Sequence, residues 1–153
     1  MSKVLVTGGA GFIGSHIVDA LVDIGHDVII VDNLSTGRRE NINAEAKFYE
    51  IDIASKPLEK VFEEYDINYV IHHAAQIDVQ TSIKTPEVDA TTNIIGTINL
   101  LENCRKYNVE KIIYASSAAV YGEPDYLGID EEHPINPLSA YGISKYTPEY
   151  YIK

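Results

Sequence analysis

Residues 7 to 14 read Thr7-Gly8-Gly9-Ala10-Gly11-Phe12-Ile13-Gly14, which sets glycines at 8, 11 and 14 in the spacing G-x-x-G-x-x-G. Upstream, Lys3 to Thr7 is a short β-branched run. Downstream, Phe12 to Ile24 repeats apolar residues at helical spacing until Gly25 offers a stop. Strand, tight turn and helix thus follow in immediate succession. In that setting Gly8 permits the turn and Gly11 lets the backbone approach a pyrophosphate. Gly14 lets helix and strand pack closely, with the helix N-terminus facing the anion. A glycine triplet alone is weak evidence; the strand before it and the helix after it make a dinucleotide the stronger reading.

Working outward, Asp27 to Val31 is too short for a helix and rich in Val and Ile, so it reads as a buried parallel strand and completes a βαβ unit. Further strands are predicted at Ala46 to Ile51, Tyr69 to His73 and Lys111 to Ala115. Helices are predicted at Pro57 to Glu64, at Glu87 to Tyr107 and from near Ser139. This alternation predicts an α/β fold on a parallel sheet, with residues 1–153 as a single domain. Such sheets take ligands outside the carboxyl ends of their strands. Gly122 to Pro137, with three prolines, reads as a loop over the site. Pro148 forfeits the hydrogen bond to the Ser144 carbonyl, which predicts a kink or an end just after Lys145 and irregular backbone over Glu149 to Lys153.

Composition narrows the partners. With 23 acidic against 12 basic residues the net charge is −11, which repels nucleic acid and anionic membranes. Bound phosphate must then be held by backbone amides and a few local cations. No basic and apolar leader opens the chain, and no apolar run approaches the roughly 18 residues of a membrane span. The expected location is cytoplasmic. Cys104, the single cysteine, lies in a helical pattern and reads as buried filler in a reducing compartment. The five histidines show no metal-ligand spacing, and His72 and His73 at a strand end read as packing or loop-fixing residues. No metal is expected.

Asp32 follows the second strand, 18 residues beyond Gly14, where this βαβ arrangement sets the carboxylate for the adenosine ribose hydroxyls. Its charge repels a 2′-phosphate, and although Arg38 and Arg39 lie close behind, NAD is favoured over NADP. Asn33-Leu34-Ser35-Thr36-Gly37 suits a loop around the ribose. Farther on, Tyr141-Gly142-Ile143-Ser144-Lys145 sets a phenol and an ammonium one helical turn apart. A nearby ammonium favours the phenolate, so Tyr141 is a candidate base and Lys145 a candidate donor to the nicotinamide ribose. Y-x-x-x-K alone is common in a chain with 11 tyrosines; its place downstream of the glycine turn makes it specific. Ser117 follows the fifth strand and can hydrogen-bond a reacting hydroxyl. No G-x-S-x-G elbow surrounds it, which argues against a serine nucleophile.

Taken together, TGGAGFIG, VDNLSTG, His72-His73-Ala74-Ala75-Gln76, SSAAVYG and YGISK resemble the extended short-chain dehydrogenase/reductase family over the whole chain, in particular its nucleotide-sugar 4-epimerases. The resemblance implies a Rossmann doubly wound sheet, truncated before the C-terminal substrate lobe, since members of the family run to about twice this length. It implies that Phe12 and Ile13 lie against the pyrophosphate, and that Asp32 to Gly37 surround the adenosine ribose. Asp52 and Ile53 would then flank the adenine, and Ala74, Ala75, Gln76 and Asn93 would line the dinucleotide path. Ser117, Tyr141 and Lys145 would be the catalytic trio, with Ser117 and Tyr141 also touching the sugar. The implied substrate is a UDP-hexose, the implied cofactor a retained NAD, and the implied assembly a homodimer built on the helix around Glu87 to Tyr107 and the one from Ser139. Dehydratases and decarboxylases of the family place acidic residues after the serine, where this chain has Ala118 and Ala119, so epimerase is preferred. A dehydrogenase that releases NADH and a dinucleotide-binding module without catalysis stay open as alternatives.

Overall fold

A computed structural model describes all residues, 1–153, and the chain forms two compact units. The first comprises 1–75 and 99–115; the second, 76–98 and 116–153.

The first unit is a five-stranded, wholly parallel sheet of β1 (Lys3–Thr7), β2 (Asp27–Asp32), β3 (Lys47–Glu50), β4 (Tyr69–His72) and β5 (Lys111–Tyr114), in the order β3-β2-β1-β4-β5. Strand residues alternate between its two faces. Val4, Val6, Val28 and Ile30 point to one side and pack with Val18 of α1 (Phe12–Asp23). Leu5, Ile29, Val31 and Val70 point to the other, where Leu58, Val61 and Phe62 of α2 (Leu58–Glu64) meet Leu100 and Cys104. Both faces are therefore apolar, which is why the strands read as unbroken Val and Ile runs. Each fully buried aliphatic side chain contributes about 1.5–3 kcal/mol. Cys104 is filler as expected; burial pushes its thiol up to about 12.

Parallel register brings the strand ends Thr7, Asp32, Glu50 and His72 to one edge of this sheet. The strand order turns back beside β1, the position where doubly wound sheets open a crevice. Three polar contacts stitch this edge. Thr7 Oγ1 lies 2.6 Å from His72 Nδ1 and accepts the Ala74 N–H at 3.2 Å, while the Ala115 N–H donates to the His72 carbonyl. His72 is thus the packing and loop-fixing residue that its strand-end place suggested.

The second unit is helical and irregular: α3 (Val79–Lys84), α4 (Pro86–Ala90), a π-helical segment Thr91–Ile95, a short 3₁₀ turn Ala118–Val120 and α6 (Ala140–Ile152). The boundary between the units falls within α5 (Gly96–Lys106). The continuous helix expected from Glu87 to Tyr107 is corrected here, because it opens at Pro86 and carries the wide π turn in its middle. Ser139 caps α6 by accepting the Gly142 N–H at 3.0 Å, so the predicted start holds.

The break expected at Pro148 does not occur. Helix α6 continues to Ile152, with Pro148 buried. The missing donor affects a single carbonyl, and Thr147 Oγ1 donates to the Ile143 carbonyl at 2.9 Å in the same turn. The Tyr146 and Tyr150 hydroxyls, 2.9 Å apart, brace the helix across the proline. Between the 3₁₀ turn and α6 the chain is irregular and organised by His133. This ring is buried against Tyr121 and Tyr126, accepts the Asp125 N–H on Nε2 at 3.0 Å and lies 2.9 Å from the Pro134 carbonyl through Nδ1.

The Thr7 contact is testable. Thr7→Val keeps the shape but removes the hydroxyl, stranding the Ala74 N–H, and urea titration should show a loss of about 1–3 kcal/mol. Unchanged stability would mean that the hydroxyl carries no weight at this edge.

Candidate functional site

In the first unit the glycine turn is shaped by close approach. Gly8 sits at φ 71°, and a Cβ there would lie 2.7 Å from the Ala74 amide nitrogen. A Cβ at Gly14 would overlap the Gly8 carbonyl oxygen, so α1 starts against the end of β1 only because position 14 lacks a side chain. Gly11 occupies the N-cap of α1, with no side chain capping it and no acidic residue in the first turn. The first-turn amides have no acceptor within the helix, and the helix dipole adds a partial positive charge, which together fit a pyrophosphate. Phe12 and Ile13 stand exposed beside them.

Asp32 is buried at the end of β2. Its Oδ2 accepts the Ala10 N–H at 3.0 Å and its Oδ1 the Leu34 N–H at 2.8 Å, which fixes the carboxylate and leaves further lone pairs for ribose hydroxyls. Gly37 backs directly onto it. Leu34 adopts φ 56°, a left-handed conformation that costs a residue with a Cβ roughly 1–2 kcal/mol. The Asp32 hydrogen bond helps to hold it there. Asn33 spans to the next strand end, with Nδ2 donating to Asp52 Oδ2 at 3.0 Å and Oδ1 accepting the Ser35 N–H at 3.0 Å. Ser35 and Thr36 are exposed. Arg38 and Arg39 are each matched with an acid, Glu40 and Glu50. Ile53 is buried in the core, so only its main chain is offered, and its carbonyl already accepts from Asn99. Ala74 and Ala75 lie half-buried just beyond β4.

The second unit holds Gln76, Asn93, Ser117, Tyr141 and Lys145. Gln76 and Asn93 form a reciprocal pair. The Gln76 N–H donates to Asn93 Oδ1 at 2.8 Å and Asn93 Nδ2 donates to the Gln76 carbonyl at 3.0 Å. Asn93 Nδ2 also reaches Ser144 Oγ at 3.0 Å and Asp89 Oδ1 at 3.2 Å. Ser117 Oγ accepts the Ala119 N–H at 3.2 Å and caps the 3₁₀ turn, against which α6 packs. Tyr141 sits in the first turn of α6, where its N–H donates to Ser82 Oγ at 3.0 Å, and Lys145 follows one turn later. Ser117, Tyr141 and Lys145 are therefore brought to neighbouring elements of one unit.

Lys145 is buried, and burial lowers its ammonium to about 8, against the opposing pull of the Asp89 and then the Glu149 carboxylates. The residues missed by sequence reading are Asp89, Ser82 and Ser144. Asp89 did carry a signal: an acid one turn before Asn93 on a helical pattern.

A family model described as the NAD dependent epimerase/dehydratase family matches residues 4–153. A protein of Methanocaldococcus jannaschii is 58% identical over 151 residues, covering 98% of this chain and 50% of its own length. UDP-glucose 4-epimerase of Corynebacterium glutamicum is 40% identical over 150 residues, with 98% and 45% covered. Among solved structures, UDP-glucose 4-epimerase of Thermotoga maritima with UDP-glucose superimposes with a TM-score of 0.94 at 47% identity, over 97% of this chain and 49% of that one. The complex of Thermus thermophilus UDP-glucose 4-epimerase with NAD gives 0.94 at 45%, over 97% and 49%. The chain spans about half the length of the curated relatives it matches.

The buried ammonium yields a prediction. Carbon-13 NMR of the lysine Cε should show Lys145 titrating near 8 instead of 10.5. Because the folded value lies below the unfolded one, the unfolded chain binds more protons between about 8 and 10.5, and this group makes stability rise with pH across that window. A midpoint near 10.5 would contradict the burial.

Proposed function

This chain belongs to the NAD dependent epimerase/dehydratase family, and from that we propose that it carries the NAD site and catalytic groups of a nucleotide-sugar 4-epimerase acting on a UDP-hexose of the glucose and galactose type. The observation that carries the reading is the second unit's pairing of Tyr141 with a buried Lys145 one turn on, beside a Ser117 turn followed by Ala118 and Ala119 instead of an acid.

In the first unit, the open amides at the start of α1, with Gly8, Gly11, Phe12, Ile13 and Gly14, suit the pyrophosphate. Asp32 is the ribose acceptor within the Asn33, Leu34, Ser35, Thr36 and Gly37 loop, and Asp52 with the Ile53 main chain flanks the adenine. Ala74 and Ala75 continue the dinucleotide path. NAD is favoured over NADP because the Asp32 charge repels a 2′-phosphate and both neighbouring arginines already face acids. In the second unit, Gln76 and Asn93 shape the backbone of the path. When bound, NAD supplies the hydride acceptor and donor at the sugar C4. Tyr141 takes the O4 proton and later returns it, so protons balance and the net reaction is isomerisation. Lys145 donates to the nicotinamide ribose, and Ser117 holds the reacting oxygen. Functionally, residues 1–153 serve as one NAD-binding domain. The whole protein is cytoplasmic and a homodimer, and Val88, Ile95, Ile143 and Tyr150, standing exposed, support the dimer. No helix is long and apolar enough to cross a membrane.

Calorimetric titration tests the site first. NAD should bind saturably and NADP at least about tenfold more weakly, a gap of about 1.4 kcal/mol. Asp32→Ala should weaken NAD by a similar factor. In a turnover assay, UDP-glucose and UDP-galactose should interconvert without net NADH, and Tyr141→Phe should lower kcat by about 10²–10⁴. Net NADH would identify a dehydrogenase, a 4-keto-6-deoxy product a dehydratase, and NAD binding without exchange a non-catalytic module.

A further inference from the structure

We infer that Asp89 is a positioning residue for the catalytic lysine: its buried carboxylate is the counter-charge that holds Lys145 as an ammonium and ties it to the Gln76 and Asn93 pair. The inference rests on the epimerase reading for its consequence in catalysis, though not for its electrostatics.

Within the second unit Asp89 is the only buried acid and Lys145 the only buried Lys or Arg. Burying a lone carboxylate costs several kcal/mol unless it is hydrogen-bonded and matched by opposite charge. Asp89 Oδ1 accepts from Gln76 Nε2 at 2.8 Å and from Asn93 Nδ2 at 3.2 Å. Both donors are neutral amides, so they satisfy lone pairs and leave the charge to be matched elsewhere. Asn93 Nδ2 extends the network to Ser144 Oγ, which belongs to the residue preceding Lys145, and α4 packs directly on α6.

The other elements packed on α6 offer no competing buried charge. The 3₁₀ turn and the π segment carry no ionisable side chain, α3 carries Lys84, and α4 carries Glu87 besides Asp89. Lys84 and Glu87 are exposed to solvent, which screens them. On α6 itself, Glu149 acts on Lys145 after Asp89 and is shared with Ser116, whose hydroxyl donates to it. The arrangement lets a desolvated ammonium persist near neutral pH, the form in which it can donate to the nicotinamide ribose.

The test is a Cε carbon-13 titration of Lys145 in the 153-residue chain, without NAD or sugar, assigned by its loss in Lys145→Met. Asp89→Asn keeps an acceptor oxygen for Gln76 and Asn93 and removes only the charge. Its Lys145 midpoint should fall by about one unit or more below the wild-type value, and Glu149→Gln should move it less. An unmoved midpoint in a folded Asp89→Asn protein would overturn the proposal. If that variant does not fold, the wild type decides. With carboxyl-labelled aspartate, the Asp89 resonance should step over the same pH interval as Lys145, and a flat trace there would overturn it equally. In turnover, Asp89→Asn should lower kcat, shift its alkaline pH limb downward and leave KM for the sugar nearly unchanged. A wild type with no epimerase activity would sink the functional reading while leaving the titration result intact.

Discussion

How closely α1 can approach the end of β1 governs everything at the carboxyl edge of the first unit. With a side chain at position 14 the helix would strike the Gly8 carbonyl, and its first amides would be carried away from the strand end. The same approach sets Ala10 where it donates to Asp32, and the Ala10 carbonyl where it accepts from the Arg38 N–H and from Asn41. One steric allowance therefore fixes the glycine turn, the orientation of Asp32 and the path of the loop beyond it. The conformational penalty at Leu34 is tolerated because the loop is pinned from both sides.

The second unit depends on a different constraint, the desolvation of charge. Asp89 and Lys145 are removed from water together, and each is expensive to bury without the other. Gln76 and Asn93 donate to the Asp89 carboxylate, Asn93 also reaches the Ser144 hydroxyl, and no buried side-chain nitrogen or oxygen lacks a partner. A fully satisfied polar network of this kind admits few alternative packings.

Much of the sheet was legible because parallel strands buried on both faces must be apolar throughout, and Leu5 to Val6, Val28 to Val31 and Val70 to Ile71 declare themselves. The glycine turn and the Tyr141 and Lys145 spacing were legible for the same reason: each is local, and its geometry follows from positions a few residues apart. Pro148 misled because the rule that proline ends a helix concerns one hydrogen bond, whereas tertiary burial of its ring and of the surrounding turn decided the outcome. The π segment was invisible, since Thr91 to Ile95 differ in no periodic way from a regular helix. Asp89 was overlooked because an acid in a helical pattern is usually solvated, and only a buried cation distant in sequence reveals otherwise.

That π segment also sets how the helix tolerates length change. A wide turn holds one more residue than the α-helical register requires, and each residue of an α-helix turns it by about 100°. Deleting a single residue between Thr91 and Ile95 would let the backbone relax into ordinary helix with its hydrogen bonds intact and would leave Asp89 facing nearly as it does relative to Thr97, whereas the same deletion in regular helix would swing the two apart by more than a quarter turn. The wide turn takes up the extra residue as a local bulge and keeps the register on either side of it. A change of one residue is thus absorbed within this segment, and would turn Asp89 only if it fell elsewhere in the helix.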